Sequence, residues 1–209
     1  MTTHRHNFYR FIHKGIRREL GELVRVAATL DVRDGAATQA YVTRLRESLS
    51  LMGAHAHHED AHIEPLIERI APPLARRIAA THRVLDHQEE ELLRRASAAL
   101  HDPSAAHELY LALTRYAATQ LGHMAEEEGE VIELLWQHFS DDALRAVEGA
   151  IVASCSPAEN AVYMDWMIRG MSDPEHAEFV SGMRQGAPPE VVAHAEHLVD
   201  LARRERMAA

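Results

Sequence analysis

Apolar residues recur every three or four positions along almost the whole chain, the spacing that lines one face of a helix. The first stripe, Tyr9, His13, Ile16, Leu20, Leu23 and Ala27, predicts a helix over about 7–31 that stops near Asp34-Gly35. A second runs Leu45, Leu49, Met52, His55, Glu59, Ile63 and Leu66, predicting a helix over about 37–70 that ends at Pro72-Pro73. A third, Ile78, His82, Leu85, Leu92 and Ala96, predicts about 74–100. Asp102-Pro103 then reads as an N-cap and first-turn proline for a fourth helix over about 104–138, carrying Leu109, Leu113, Tyr116, Gln120, His123, Glu127, Val131 and Leu134. No alternating, β-branched run flanked by turn residues interrupts this pattern. The fold class expected is all-α. Long amphipathic helices with short connections predict an up-down-up-down four-helix bundle over residues 1–138. Residues 139–209 read as shorter helices, opened by Ser156-Pro157-Ala158-Glu159, Ser172-Asp173-Pro174-Glu175 and Pro188-Pro189-Glu190. With no long linker before them, they are expected to form a C-terminal extension packed on the bundle.

Some positions on the core stripes are polar, and they are not scattered. The first helix contributes His13, the second His55 with Glu59, the third His82, and the fourth His123 with Glu127. HAHHE and HMAEE are one device, H-x-x-x-E, which puts an imidazole and a carboxylate on one helix face roughly 6 Å apart. The midpoint of His13 and His55 falls at the Asp34-Gly35 turn, and that of His82 and His123 at Asp102-Pro103. Antiparallel helices bring residues equidistant from a turn to one height, so four histidines and two glutamates are expected in one layer. Reflection through the turn near residue 72 points closer to His87 than to His82, so His87 is an alternative or additional ligand. Asp86 is a weaker candidate.

Two carboxylates and four imidazoles in an apolar core are costly to desolvate without a compensating charge. A divalent ion supplies that charge, and two carboxylates at one level can bridge two ions. Nitrogen and oxygen donors without thiolate suit iron, manganese or zinc. Sixteen histidines in a chain of net charge −10 point the same way. That acidic balance, with no basic stripe, argues against nucleic acid. The single Cys155 excludes an internal disulfide, and neither a signal-like N-terminus nor a membrane-length apolar run is visible. A cytoplasmic chain without a membrane partner is expected.

Competing readings of the same residues fare worse. H-E-D-A-H, from His58, matches a zinc-protease signature, but the metzincin continuation needs Gly at 65 and His at 68, where Pro65 and Glu68 stand. A ferritin-like site needs E-x-x-H on two helices; Glu59 and His62 supply one, and Glu130 occupies the place of the second histidine. His57, His58 and His62 are expected to flank the ligands or face solvent. His4, His6, His101, His107 and His138 are expected in water, and Glu89 beyond the ligand layer. His194 and His197 have spacing for weak ion binding at most. Met164, Trp166, Met167 and Met171 read as packing residues of the extension, or as a surface for a protein partner.

The segments FIHKGIR, HAHHEDAHIEPLI, THRVLD and HMAEEEGEVIELLW, over residues 8–137, resemble the hemerythrin-like (HHE cation-binding) family. The resemblance implies a four-helix bundle around two non-haem irons, with Glu59 and Glu127 bridging and His13, His55, His82 and His123 as terminal ligands. It also implies a small diatomic ligand such as O2 or NO, or peroxide, in sensing or detoxification. The oxygen-carrying members have two histidines, four apart, on the third helix; here Asp86 follows His82. That departure points toward an oxygen-reactive or sensing site rather than reversible carriage. A di-iron oxygenase or oxidase acting on a small organic substrate is the alternative.

Overall fold

The structure, a computed structural model, describes residues 5–208; His4 lies outside the described residues. Among these residues every regular element is helical, as the stripes predict. In chain order the α-helices are α1 (Tyr9–Thr29), α2 (Gly35–His62), α3 (Glu64–Ile70), α4 (Pro72–Ala99), α5 (Ala106–Glu126), α6 (Ile132–His138), α7 (Asp141–Ser154), α8 (Pro157–Gly170), α9 (Asp173–Met183) and α10 (Pro189–Ala208). A 3-10 turn, Pro103–Ala105, precedes α5, and a π-helical stretch, Glu127–Val131, joins α5 to α6. No helix among the described residues is long and apolar enough to cross a membrane.

Two long helices predicted as continuous are broken, each for a local reason. Ile63 N–H makes the last bond of α2, to the Glu59 carbonyl at 2.8 Å. Pro65 has no N–H to continue the ladder and is tolerated only in a first turn, so a new short helix, α3, begins there. Pro72 and Pro73 then open α4 instead of merely ending the helix before it, and Ala71, ahead of them, leaves the helical region at φ −148° and ψ 70°. The predicted helix over 104–138 is interrupted at Glu127, where the chain widens into the π stretch and Ile132 N–H reaches back to the Glu127 carbonyl. Asp102 caps the 3-10 turn, accepting from the Ser104 N–H at 2.9 Å and hydroxyl at 2.7 Å, not α5 itself. Asp34 caps α2 by accepting from the N–H groups of Ala36 and Ala37, each at 3.0 Å.

The described chain divides into two compact units. The first comprises residues 5–7 and Leu20–Cys155, so α7 belongs with α2–α6, beyond the boundary expected at 138. In it α4 packs against α2, α3 and α5, and α2 against α7. Leu45, Leu49, Leu92, Leu113, Val131 and Leu135 are among its fully buried side chains. Its N-terminal residues are strapped to its far end: Arg5 pairs with Asp141 and donates to the Trp136 and Phe139 carbonyls.

The second unit holds Phe8–Glu19, the first half of α1, with residues 156–208. Ile168, Val180, Val192, Ala195, Leu198, Val199 and Ala202 form its core. Both expected capping residues act. Ser156 N–H donates to Glu159, whose own N–H donates to the Ser156 hydroxyl, and Glu175 accepts from the N–H and hydroxyl of Ser172 at 2.9 Å each. Glu175 also accepts from Lys14 at 2.6 Å and Arg10 at 2.9 Å, which ties α9 to α1. Burial alone would raise its pKa, but these hydrogen bonds outweigh it and hold Glu175 at about 2.

Two glycines set the crossing of α1 and α8. A Cβ at Gly15 would lie 2.7 Å from the Trp166 carbonyl carbon, and one at Gly170 2.8 Å from that of Lys14. Gly21, on the same helix as Gly15, has nothing within 4 Å. Gly15→Ala is therefore expected to force the helices apart and cost roughly 1–3 kcal/mol. Gly21→Ala should instead stabilise α1 by about 0.5–1 kcal/mol. Thermal unfolding of the two variants beside the parent chain checks the opposite signs.

Candidate metal centre

Five of the six predicted ligands, and the best-placed residue absent from that set, lie in the first unit. His55 and Glu59 sit one turn apart near the end of α2, and both are buried. His82 projects from the middle of α4 and His123 from the last turn of α5. Glu127 is the first residue of the π stretch and is 1% exposed, so both of its oxygens are withheld from water.

These side chains converge. His82 Nε2 and His123 Nε2 lie 2.7 Å apart, with the two rings edge to face. Glu127 Oε1 lies 3.3 Å from His123 Nε2. Glu59 faces two ways: Oε1 lies 3.1 Å from His55 Nε2, and Oε2 lies 3.8 Å from His82 Nε2. One ligand atom each from Glu59, His82, His123 and Glu127 falls within 4.8 Å of every other. Donors about 2.1 Å from a shared ion are about 3.0 Å apart when adjacent and 4.2 Å when opposite, so a small contraction fits this set to a metal. The donors are all nitrogen and oxygen.

Asp60 is the residue that sequence reasoning passed over. Its Oδ1 lies 2.6 Å from His82 Nδ1. A carboxylate only accepts, so Nδ1 carries a proton and the ring turns its Nε2 toward His123 and Glu59. Metal-binding histidines are typically oriented in this way by a carboxylate behind the ring. The signal was present in the E-D pair: Asp60 is next to Glu59, about 100° around the helix. Its side chain is 40% exposed, and the spacing of the H-x-x-x-E pairs gives it no place among the ligands.

The electrostatics of the group lean toward a cation. Burial, and then the neighbouring Glu59 carboxylate, push Glu127 well above the ordinary carboxylate range. That displacement disfavours the bare carboxylate, and a divalent ion in the same space would compensate its charge. Desolvation would lower His82, but the Asp60 hydrogen bond and the charges of Glu59, Asp60 and Glu64 outweigh it and raise the ring above its usual value.

The remaining predicted residues separate clearly. His13 lies on α1 within the second unit, fully buried, with its ring stacked on Tyr9 at 4.9 Å. His87 and Asp86 are exposed. His57 is exposed and bonds the Gly53 carbonyl at 2.8 Å; His58 lies between Ser154 Oγ (2.9 Å) and Cys155 Sγ (3.3 Å). His62 is half-buried. Of the histidines expected in water, His101, His107 and His138 are exposed, whereas His6 is half-buried with Nε2 3.1 Å from Glu148. His194 and His197 are exposed on α10. His176 is buried, its Nε2 donating to the Ile168 carbonyl at 2.7 Å. In the acidic run after His123, Arg77 holds Glu126 and Glu130 on the surface, and only Glu127 turns inward.

Comparison with models of known families, with curated proteins and with solved structures finds no match to the chain.

Asp60→Asn keeps the shape behind His82 but loses the ionised acceptor, and is expected to weaken metal binding about 10–100-fold. His57→Ala, on the exposed side of the same helix, should leave binding unchanged. Titration against a competing chelator measures both.

Proposed function

We propose that this chain is a hemerythrin-like non-haem di-iron protein, built as an up-down-up-down four-helix bundle, that binds or reacts with O2, peroxide or nitric oxide. One observation supports the reading above the others: Glu59 presents one oxygen to His55 and the other to the buried group of His82, His123 and Glu127. A carboxylate flanked by donors on both sides is what a bridge between two ions requires, and metal pairs of this kind stand about 3.5–4 Å apart.

In this reading His82, His123, Glu127 and Glu59 would hold one ion, and His55 with Glu59 would help to hold the second. His13 enters by sequence spacing and family resemblance alone, as the terminal ligand from the first helix. When bound, the irons supply an open coordination position and reversible one-electron chemistry. The chain's own residues do the rest. Asp60 holds the Nδ1 proton of His82 and keeps its Nε2 available. The two glutamates neutralise much of the cationic charge in a space closed to water, which strengthens every interaction inside it. Iron is favoured by resemblance; the donors also accept manganese or zinc.

Protein purified without chelator and reconstituted anaerobically with ferrous iron should hold two irons per chain by elemental analysis. Its optical spectrum should change on exposure to air or nitric oxide. Glu59→Ala and Glu127→Ala should each lose two-metal loading. A chain that takes up no iron, with thermal stability indifferent to added metal, would contradict the proposal. Oxygen consumption that requires an added organic substrate would favour an oxygenase instead.

A further inference from the structure

The first unit holds a second polar pair that the metal ligands do not use, one partner buried and the other half-buried. Tyr116 of α5 is wholly excluded from solvent, and its hydroxyl donates to Glu89 Oε1 of α4 at 2.7 Å. Met52 Sδ of α2 lies 3.6 Å from the same hydroxyl. A Cβ at Gly53 would come within 3.2 Å of Glu89 Oε2, so the bare backbone there makes room for the carboxylate. Three helices therefore shape one phenol–carboxylate pair.

A buried tyrosine needs no carboxylate merely to satisfy its hydroxyl. Tyr41, in the same unit, donates to the Leu23 carbonyl at 3.1 Å. A carboxylate costs far more to desolvate than a carbonyl, and what it adds is the capacity to take the phenolic proton. Position matters as well. Tyr116 stands seven residues before His123, two turns along one face of α5 and roughly 10 Å from it along the axis.

We propose that Tyr116 and Glu89 form a proton-coupled redox pair serving the metal centre. The step balances as follows. Hydrogen peroxide first takes two electrons from the centre as its O–O bond breaks to give two hydroxides; the Tyr116 O–H bond then breaks, its proton forms a new O–H bond on Glu89, and one electron passes from the phenol to the oxidised centre. Tyr116 becomes a neutral phenoxyl radical and the centre is reduced by one electron. The surroundings favour this coupled route over loss of the proton alone. Burial, reinforced by the Glu89 charge, holds the Tyr116 hydroxyl well above its ordinary pKa. Burial also brings Glu89 up to about 7, with Asp86 raising it and Tyr116 and His57 lowering it, so it is a better base than an ordinary carboxylate. The inference rests on the di-iron reading above.

The test uses the full chain loaded with ferrous iron, its metal content measured first, then mixed with hydrogen peroxide and frozen for electron paramagnetic resonance. The expected result is an organic radical signal that narrows when the protein carries ring-deuterated tyrosine. It should vanish in Tyr116→Phe and persist in Tyr41→Phe. Glu89→Gln, which cannot accept the proton, should slow its formation about a hundredfold at unchanged iron content. That variant carries the same decision if Tyr116→Phe fails to fold. Full iron loading with peroxide consumed and no tyrosyl signal overturns the inference and leaves the di-iron reading standing. So does a signal that survives Tyr116→Phe, or one that forms at the parent rate in Glu89→Gln. Failure to take up iron overturns both, and the metal analysis shows it before peroxide is added.

Discussion

Glu59 and Glu127 share a buried space with His55, His82 and His123, and like-charged carboxylates in that setting are tolerated only with a proton or a cation among them. Burial and the Glu59 charge push Glu127 above the ordinary carboxylate range, the direction in which this constraint acts. A metal would meet it with a larger compensating charge among the same donors. Much of the first unit serves that arrangement. Asp34 starts α2 in register, α2 ends one turn past Glu59 as Pro65 enters, and the π stretch opens at Glu127. Widened turns of this kind are frequent at functional sites, where they re-aim a side chain that regular helix would carry elsewhere.

Asp60 and Glu89 mark the two directions in which the ligand set extends. Asp60 stands between solvent and His82 and fixes which ring nitrogen faces inward. Glu89 lies farther along α4, half-buried and paired with Tyr116.

The all-helical class was legible because the apolar stripes hold their period over long runs, and the H-x-x-x-E pairs because a four-residue spacing has one meaning on a helix. The breaks were not. Ile63 and Ile67 are both buried, so the apolar stripe passes the end of α2 as if nothing had happened, and only the missing N–H of Pro65 betrays it. Around the π stretch both Val131 and Ile132 are buried, the trace of an extra residue in the turn, but adjacent apolar residues are too common to signal it. His82 and His87 differ by five residues, and the short helix α3, unforeseen between α2 and α4, defeats a simple reflection through residue 72. Glu89 was set apart from the ligand layer because it lies seven residues, roughly 10 Å of helix, beyond His82, and nothing in the sequence pairs it with Tyr116. The division into units was equally hidden, since the first half of α1 belongs with residues that follow it by more than a hundred positions.

The most direct test of the centre is anomalous diffraction at the iron edge from crystals of the iron-loaded chain. Two peaks are expected, one on each side of the Glu59 carboxylate, with the first also in contact with His82, His123 and Glu127. An absence of peaks there, or a Glu59 carboxylate that touches no metal while iron sits elsewhere, would contradict the account.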